Sequence, residues 1–282
     1  MGSKNAKQMK LVKNAKDPKE IDPHNKLNEF TNIERANFEK YFQIGLAENN
    51  PLGVKITEEL SIAFFKGKCT DIAKSLLGKL LINKTPEGIA GGIIVETEAY
   101  LGKKDPSCHL SNGSTKRNGP FYNGSGTIYI FKIHRYNNLN VISEYNSHPE
   151  CTLIRAIEPT HGLKLMKKRR GTDELLNLTT GPGKLTEALG ITKEKSNNKK
   201  INTSMISIFN TNLTNFDTVS TTRIGISKAT DWPLRYYIKN NPFVSRKSKK
   251  EKAFVSFNDG LYYKNFYRLK VCSLTESVEE GW

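Results

Sequence analysis

The chain has 282 residues, 37% of them hydrophobic, which is enough for one large domain or two small ones with a real core. Its 44 Lys and Arg against 28 Asp and Glu leave a formal charge of +16, favouring a polyanionic partner such as nucleic acid or an anionic membrane surface. The longest apolar stretches, 80–82 and 90–95, fall far short of the roughly 20 residues a membrane span needs.

The polar N-terminus has no signal-peptide core, so a soluble, intracellular protein is expected. Met1-Gly2-Ser3 is similar to a myristoylation start, but Ala6 stands where Ser or Thr is required. Residues 1–57 are rich in Lys, Asn, Asp and Pro with few apolar clusters, a composition that cannot offset the entropy of ordering. They are expected to form a basic disordered arm, either a solvated tail or a tether to DNA. A folded domain is expected over 58–245. Helical spacing around Asp71 predicts a helix within 62–82, with Gly78 as a stop signal.

Strands are predicted at 92–100, 127–133 and 151–157. The run Ile94-Val-Glu-Thr-Glu-Ala-Tyr100 places Glu96, Glu98 and Tyr100 on one face and Val95, Thr97 and Ala99 on the other. Two glutamates set against an apolar core would cost several kcal/mol or shift their ionisation, so that face is expected to line a polar cleft. On this strand alone, an edge strand with a solvated glutamate face fits equally well. A long loop follows at 102–126 and contains His109, Arg117 and Asn118; loops of that length inside a domain are usually functional.

Residues 162–171 predict a basic helix and 180–190 a turn feeding a second helix, both suited to meeting phosphates. The Asn-, Lys- and Thr-rich stretches 195–202 and 210–215 predict a low-complexity loop insertion at about 195–215. Further strands are expected at 222–227 and 234–238, and 246–282 reads as a basic, then aromatic extension. Cys69, Cys108, Cys151 and Cys272 lie far apart without a C-x-x-C pair, which suggests neither a zinc site nor a disulfide framework. No H-E-x-x-H, Walker-A or G-x-G-x-x-G string occurs, so no metal and no organic cofactor are expected.

Several strings in order carry a family pattern: Glu96-Thr-Glu-Ala-Tyr-Leu-Gly102, His109 nine positions past the tyrosine, Gly126-Thr-Ile-Tyr-Ile, Asn140-Val-Ile-Ser, Leu153-Ile-Arg-Ala-Ile-Glu-Pro159, Gly181-Pro-Gly-Lys-Leu185 and Pro233-Leu-Arg-Tyr-Tyr237. Over roughly residues 60–245 the chain closely resembles the alkyladenine (3-methyladenine) DNA glycosylases. That resemblance implies a single α+β domain with a curved, mainly antiparallel sheet surrounded by helices. It implies a monomeric, monofunctional enzyme that flips damaged purines (3-methyladenine, 7-methylguanine, hypoxanthine, ethenoadenine) out of double-stranded DNA and hydrolyses the base–sugar bond in base excision repair.

By the same resemblance Glu98 is the catalytic carboxylate that activates water, and Glu96 takes either a structural role or one of supporting the catalytic residues from behind. Arg155 orients Glu98 or the water, while Tyr100, His109 and Phe131 sandwich the base. Asn140 gates the pocket by crowding the exocyclic amino group of guanine. The chemistry is consistent with these types: a flipped base needs flat or apolar walls, and the oxocarbenium-like sugar left behind needs a carboxylate.

The chain departs from the family pattern twice. Phe131 replaces the usual tyrosine, keeping the stacking surface and losing the hydroxyl. The hairpin tip that wedges into the duplex is one residue shorter, over Lys132-Ile-His-Arg-Tyr136, and aligns His134 as the wedge when counted from the left and Ile133 when counted from the right. Tyr136 then fits a neighbouring aromatic position, and Lys132 and Arg135 add attraction for phosphate. Two alternatives stand beside this reading. One is a helix-hairpin-helix glycosylase/lyase using Lys184, with Asp217 as the nearest downstream aspartate; the other is a non-enzymatic nucleic-acid-binding protein. A nuclear location is expected, with a DNA-containing organelle as the other possibility; residues 246–252 resemble an import signal, although surface basicity is the commoner reason for such a tract.

Overall fold

Apolar, β-branched and aromatic runs alternate with short helical segments through the whole described region, a computed structural model of residues 54–245. Most of the arm assigned to 1–57 and all of the extension at 246–282, with Cys272 and the basic tract at 246–252, lie outside those residues. Among the described residues the strands are β1 (Ile56–Glu59), β2 (Leu80–Thr85), β3 (Gly88–Tyr100), β4 (Ile128–Ile133), β5 (Tyr136–Tyr145), β6 (His148–His161), β7 (Ile206–Thr211), β8 (Thr218–Thr221) and β9 (Arg235–Ile238). The α-helices are α1 (Cys69–Ser75), α2 (Leu163–Arg170), α3 (Pro182–Leu189) and α4 (Lys193–Ser196).

The strands form one sheet in the order β1-β7-β2-β3-β6-β5-β4, with β9 also on β3 and β8 on β9. Every pairing between named strands is antiparallel. The mixed α and β architecture with a mainly antiparallel sheet is the one expected.

β3 is central. β6 pairs along most of one side, while β2 takes residues 88–93 and β9 residues 96–98 of the other. The edge-strand alternative for the glutamate face therefore fails, because both flanks of residues 96–98 are paired. The β3–β6 register shifts on either side of Glu96: Ile94 faces Ile157, Glu96 faces Ala156, and Thr97 faces Ile154. Val95 is thus the extra residue on β3 and Arg155 the extra residue on β6. Paired bulges of this kind re-aim side chains, here those of the strands that carry Glu96, Glu98 and Arg155.

Three local expectations change. The helical pattern at 62–82 resolves into a 3-10 turn (Ile62–Phe65), α1, and then β2, with Gly78 at φ +80° between helix and strand. Leu80, Leu81 and Ile82 are all buried between β3 and β7, and a continuous apolar run has no periodicity to separate strand from helix. The insertion expected at 195–215 contains β7, an inner strand between β1 and β2 whose Ile206 and Ile208 are buried; its Asn- and Thr-rich flanks masked it. Residues 222–227 are irregular, and the strand lies just before them as β8.

The core includes a cluster of Cys108, Leu110, Phe121, Tyr129, Ile142 and Cys151, against which Tyr100 and Phe131 pack. Cys69, Cys108 and Cys151 are free, buried thiols. No helix among the described residues is long and apolar enough to cross a membrane.

Candidate active site

A cavity of about 1220 Å³ opens beside this aromatic cluster. Tyr100 from β3, Phe131 from β4, Asn140 from β5 and Arg155 from β6 reach it from the sheet, and His109 reaches it from the long loop.

Glu96 and Glu98 do not face an open cleft, for both side chains have 0% exposure. Each carboxylate instead replaces its lost hydration with charge-assisted hydrogen bonds. Glu98 Oε1 accepts from the Ile224 backbone N–H at 2.8 Å and lies 3.3 Å from Arg155 Nη1; Oε2 accepts from the Tyr100 hydroxyl at 2.9 Å. Tyr100, Arg155 and Ile224 all line the cavity, so Glu98 sits one side chain behind its wall. Burial, and then the charge of Glu98, push the Tyr100 phenol well above its usual range. It therefore remains protonated and donates to Glu98 throughout the physiological range.

Glu96 is saturated. Its Oε1 accepts from Arg155 Nε at 2.9 Å, Arg235 Nε at 2.7 Å and Ser245 Oγ at 3.0 Å, and its Oε2 accepts from the Ser245 backbone N–H at 2.7 Å.

Behind Tyr100 the Arg223 guanidinium stacks 4.6 Å from the ring centroid. Arg223 donates to the Ala99 carbonyl at 3.1 Å and forms a fully buried, two-point pair with Asp105. Asp105 in turn accepts from the backbone N–H groups of Leu101 and Ser107, tying the start of the long loop to the sheet.

His109 is placed by that loop. The buried Asn118 amide donates to the His109 and Gly113 carbonyls at 2.9 and 2.8 Å, and Asn118 also closes a capping box with Thr115. His109 Nδ1 lies 2.8 Å from the Tyr129 hydroxyl, and its ring stands edge-on to Phe131 with centroids 4.5 Å apart. Burial, with the nearby Arg117 cation second, pulls the imidazole from 6.5 down to about 4, so it is neutral at physiological pH. Tyr129 is held as a neutral phenol, chiefly by its own burial. Phe131 thus keeps its stacking surface, while the neighbouring Tyr129 supplies the hydroxyl that holds His109.

Asn140 is buried, and its amide nitrogen donates to the carbonyls of Tyr129 and Asn138 at 3.1 and 3.2 Å. Its oxygen has the Cys151 thiol 3.9 Å away, so the amide orientation at the cavity wall is fixed.

The hairpin between β4 and β5 closes at the Ile133–Tyr136 pair, leaving His134 and Arg135 at its tip, with His134 at φ +51°. Ile133 is 51% exposed and also lines the cavity. Tyr136 instead leans on α3, where a side chain at Gly183 would come within 2.8 Å of Tyr136 Cβ, and its hydroxyl accepts from Arg135 at 2.8 Å. Lys132 pairs with Glu194 on α4 at 2.8 Å; both groups are exposed, so the pair is weak and exchangeable.

Sequence reasoning missed Tyr129, Asp105, Arg223, Ile224, Arg235 and Ser245. Tyr129 and Arg235 lie in strings already singled out, but Asp105, Arg223, Ile224 and Ser245 owe their place at the site to contacts such as Arg223–Asp105, Ile224–Glu98 and Ser245–Glu96, each across more than a hundred residues of chain.

Residues 63–242 match the methylpurine-DNA glycosylase (MPG) family. The chain belongs to that family. A protein of Prosthecochloris aestuarii is 42% identical over 187 residues, covering 66% of this chain and 90% of its own length. One of Methanoculleus marisnigri is 41% identical over 193 residues, 67% of this chain and 99% of its own. Both carry the name "Putative 3-methyladenine DNA glycosylase". The protein is accordingly a DNA glycosylase, a hydrolase of N-glycosyl bonds, which sets aside the non-enzymatic and helix-hairpin-helix alternatives. Lys184, the residue the latter required as nucleophile, donates to Asn177 Oδ1.

Proposed function

We propose that this glycosylase excises purines of the 3-methyladenine class from double-stranded DNA as a monomer, by direct attack of water without a covalent enzyme intermediate. The observation that carries this reading is the bonding of Glu98 to Tyr100, Arg155 and Ile224, three residues that share one cavity wall. A damaged base rotated out of the stack enters beside Tyr100, His109 and Phe131, recovering part of the few kcal/mol lost on unstacking. The pinned Asn140 amide limits which exocyclic groups fit.

Of the contacts Glu98 makes, the one with Arg155 is the longest, at 3.3 Å. Parting there admits water within reach of both groups. Glu98 takes the proton as the water oxygen bonds to C1′; the bond from C1′ to the base nitrogen breaks, and its electron pair leaves with the base. Until that bond forms, the buried carboxylate stabilises positive charge on the sugar. Ile133, His134 and Arg135 at the hairpin tip fill the vacated stack, and nearby Lys and Arg meet the phosphates. Nuclear residence is part of this reading and rests on the basic tract at 246–252.

The deciding experiment compares wild type with Glu98→Gln on duplexes carrying each lesion. Wild type should release free base, whereas the variant should bind the duplex with similar affinity and release none. Base release retained by Glu98→Gln, or a DNA adduct of wild type trapped by borohydride, would overturn the mechanism.

A further inference from the structure

The hydrolytic step assigns no task to Glu96, yet its buried carboxylate is fully engaged. Four donors converge on it: Arg155 Nε, Arg235 Nε, and the backbone and hydroxyl of Ser245. None of these bonds is to solvent, and Glu96 does not line the cavity. The Arg155 guanidinium is consequently divided. Its Nε edge is held by Glu96 at 2.9 Å, its Nη2 reaches Ser245 Oγ at 3.4 Å, and only Nη1 is left for Glu98, at 3.3 Å.

Resting on the reading that Glu98 activates water, we propose that Glu96 is a positioning residue for the hydrolytic step: by binding Arg155 and Arg235 together it fixes the Arg155 plane and takes up part of its charge, so that Arg155 orients Glu98 without closing on it as a tight, two-point ion pair.

An arginine free to meet a carboxylate prefers the bidentate geometry, with two short parallel bonds. Such a pair would exclude water from the one contact that has to open, and would stabilise the carboxylate so far that it becomes a poor base. Glu96 holds Nε and its partner Ser245 takes Nη2, which together leave Glu98 a single point of contact, and the unpaired bulge residue Arg155 is placed to be shared between the two glutamates of β3. Arg235 completes the balance. It stands opposite Glu98 in the β3–β9 register but turns its Nε to Glu96 and its Nη2 to the Ser245 carbonyl at 2.7 Å. Glu96 thereby has one positive charge to share beyond that of Arg155.

The other charged and titratable groups around Glu98 are accounted for. Tyr100 on its own strand donates a hydrogen bond, and Arg223, on the segment that also supplies the Ile224 N–H, is paired with Asp105.

The test is single-turnover base release as a function of pH, with duplex binding measured alongside, for wild type, Glu96→Gln and Arg235→Gln. In Glu96→Gln, Arg155 turns to Glu98. Excision should fall on the order of 10- to 100-fold with duplex affinity unchanged, and the acid limb of the profile should move to lower pH. In Arg235→Gln, Glu96 draws harder on Arg155, and the acid limb should move to higher pH. A purely structural role predicts slower excision or a lower melting temperature with the acid limb where wild type has it, and loss of a bystander charge predicts a moved limb with the wild-type rate on the plateau; either result overturns the inference. If Glu96→Gln does not fold, Arg235→Gln decides alone: its acid limb must rise and its plateau rate must also fall, and failure of either overturns the inference. Inactive wild type would instead refute the functional reading on which the inference rests.

Discussion

At the scale of single residues, the site depends on protonation states set by burial. His109 has its imidazole pulled to about 4 from 6.5, so the unfolded chain binds a proton more readily than the folded one between those values. Stability therefore rises with pH across that window and is lost as pH falls through it. The melting temperature of wild type should decline from pH 6.5 towards pH 4 more steeply than that of His109→Gln. Equal slopes in thermal scans would show that the imidazole is not held neutral.

Tyr129→Phe removes the hydroxyl 2.8 Å from His109 Nδ1 while keeping the ring. We expect a loss of about 1 kcal/mol in denaturant unfolding and slower base release at unchanged duplex affinity. Release at the wild-type rate would mean His109 is held adequately by Asn118 alone. The sequence named Glu98, Tyr100, His109, Phe131, Asn140 and Arg155, because short strings of distinctive residue types carry them. It did not reveal Tyr129 as the partner of His109, since that hydrogen bond joins a loop to a strand twenty residues away.

At the scale of elements, β3 was legible and its surroundings were not. A period of two located Glu96, Glu98 and Tyr100 on one face, and the hydrogen bonds of all three agree with that assignment. That the face is buried followed from the segments around Arg223–Ile224 and Ser245 reaching over it, which no local pattern encodes. β7 shows the same limit: a six-residue strand flanked by Asn and Thr looks like insertion until β1 and β2 pair with it.

The contact of α3 with the hairpin can be tested directly. A Cβ at Gly183 would lie 2.8 Å from Tyr136 Cβ and 3.0 Å from its Cγ, the root of that side chain rather than its flexible end. Gly183→Ala should therefore destabilise by about 1–3 kcal/mol and displace the hairpin tip, weakening duplex binding. An unchanged melting temperature would show that helix and hairpin part at no cost.

At the scale of the whole molecule, the formal charge of +16 is the dominant long-range property. Lys and Arg that neutralise phosphates release condensed counterions, so duplex affinity should fall by roughly 10³-fold or more between low and physiological salt. Fluorescence anisotropy titrations at several salt concentrations would measure the slope. A flat dependence would mean that the excess positive charge does not face DNA.

The amino-acid sequence by itself determined the class of partner, the family and the residue types of the cavity, because net charge and local strings survive without folding. It could not determine how deeply Glu98 is buried, that Arg155 is divided between two carboxylates, or that Arg223 and Asp105 brace Tyr100. Those are matters of tertiary structure. Ionisation and hydrogen bonding depend on distances between side chains from strands and loops far apart in the chain, and only the packed sheet sets those distances.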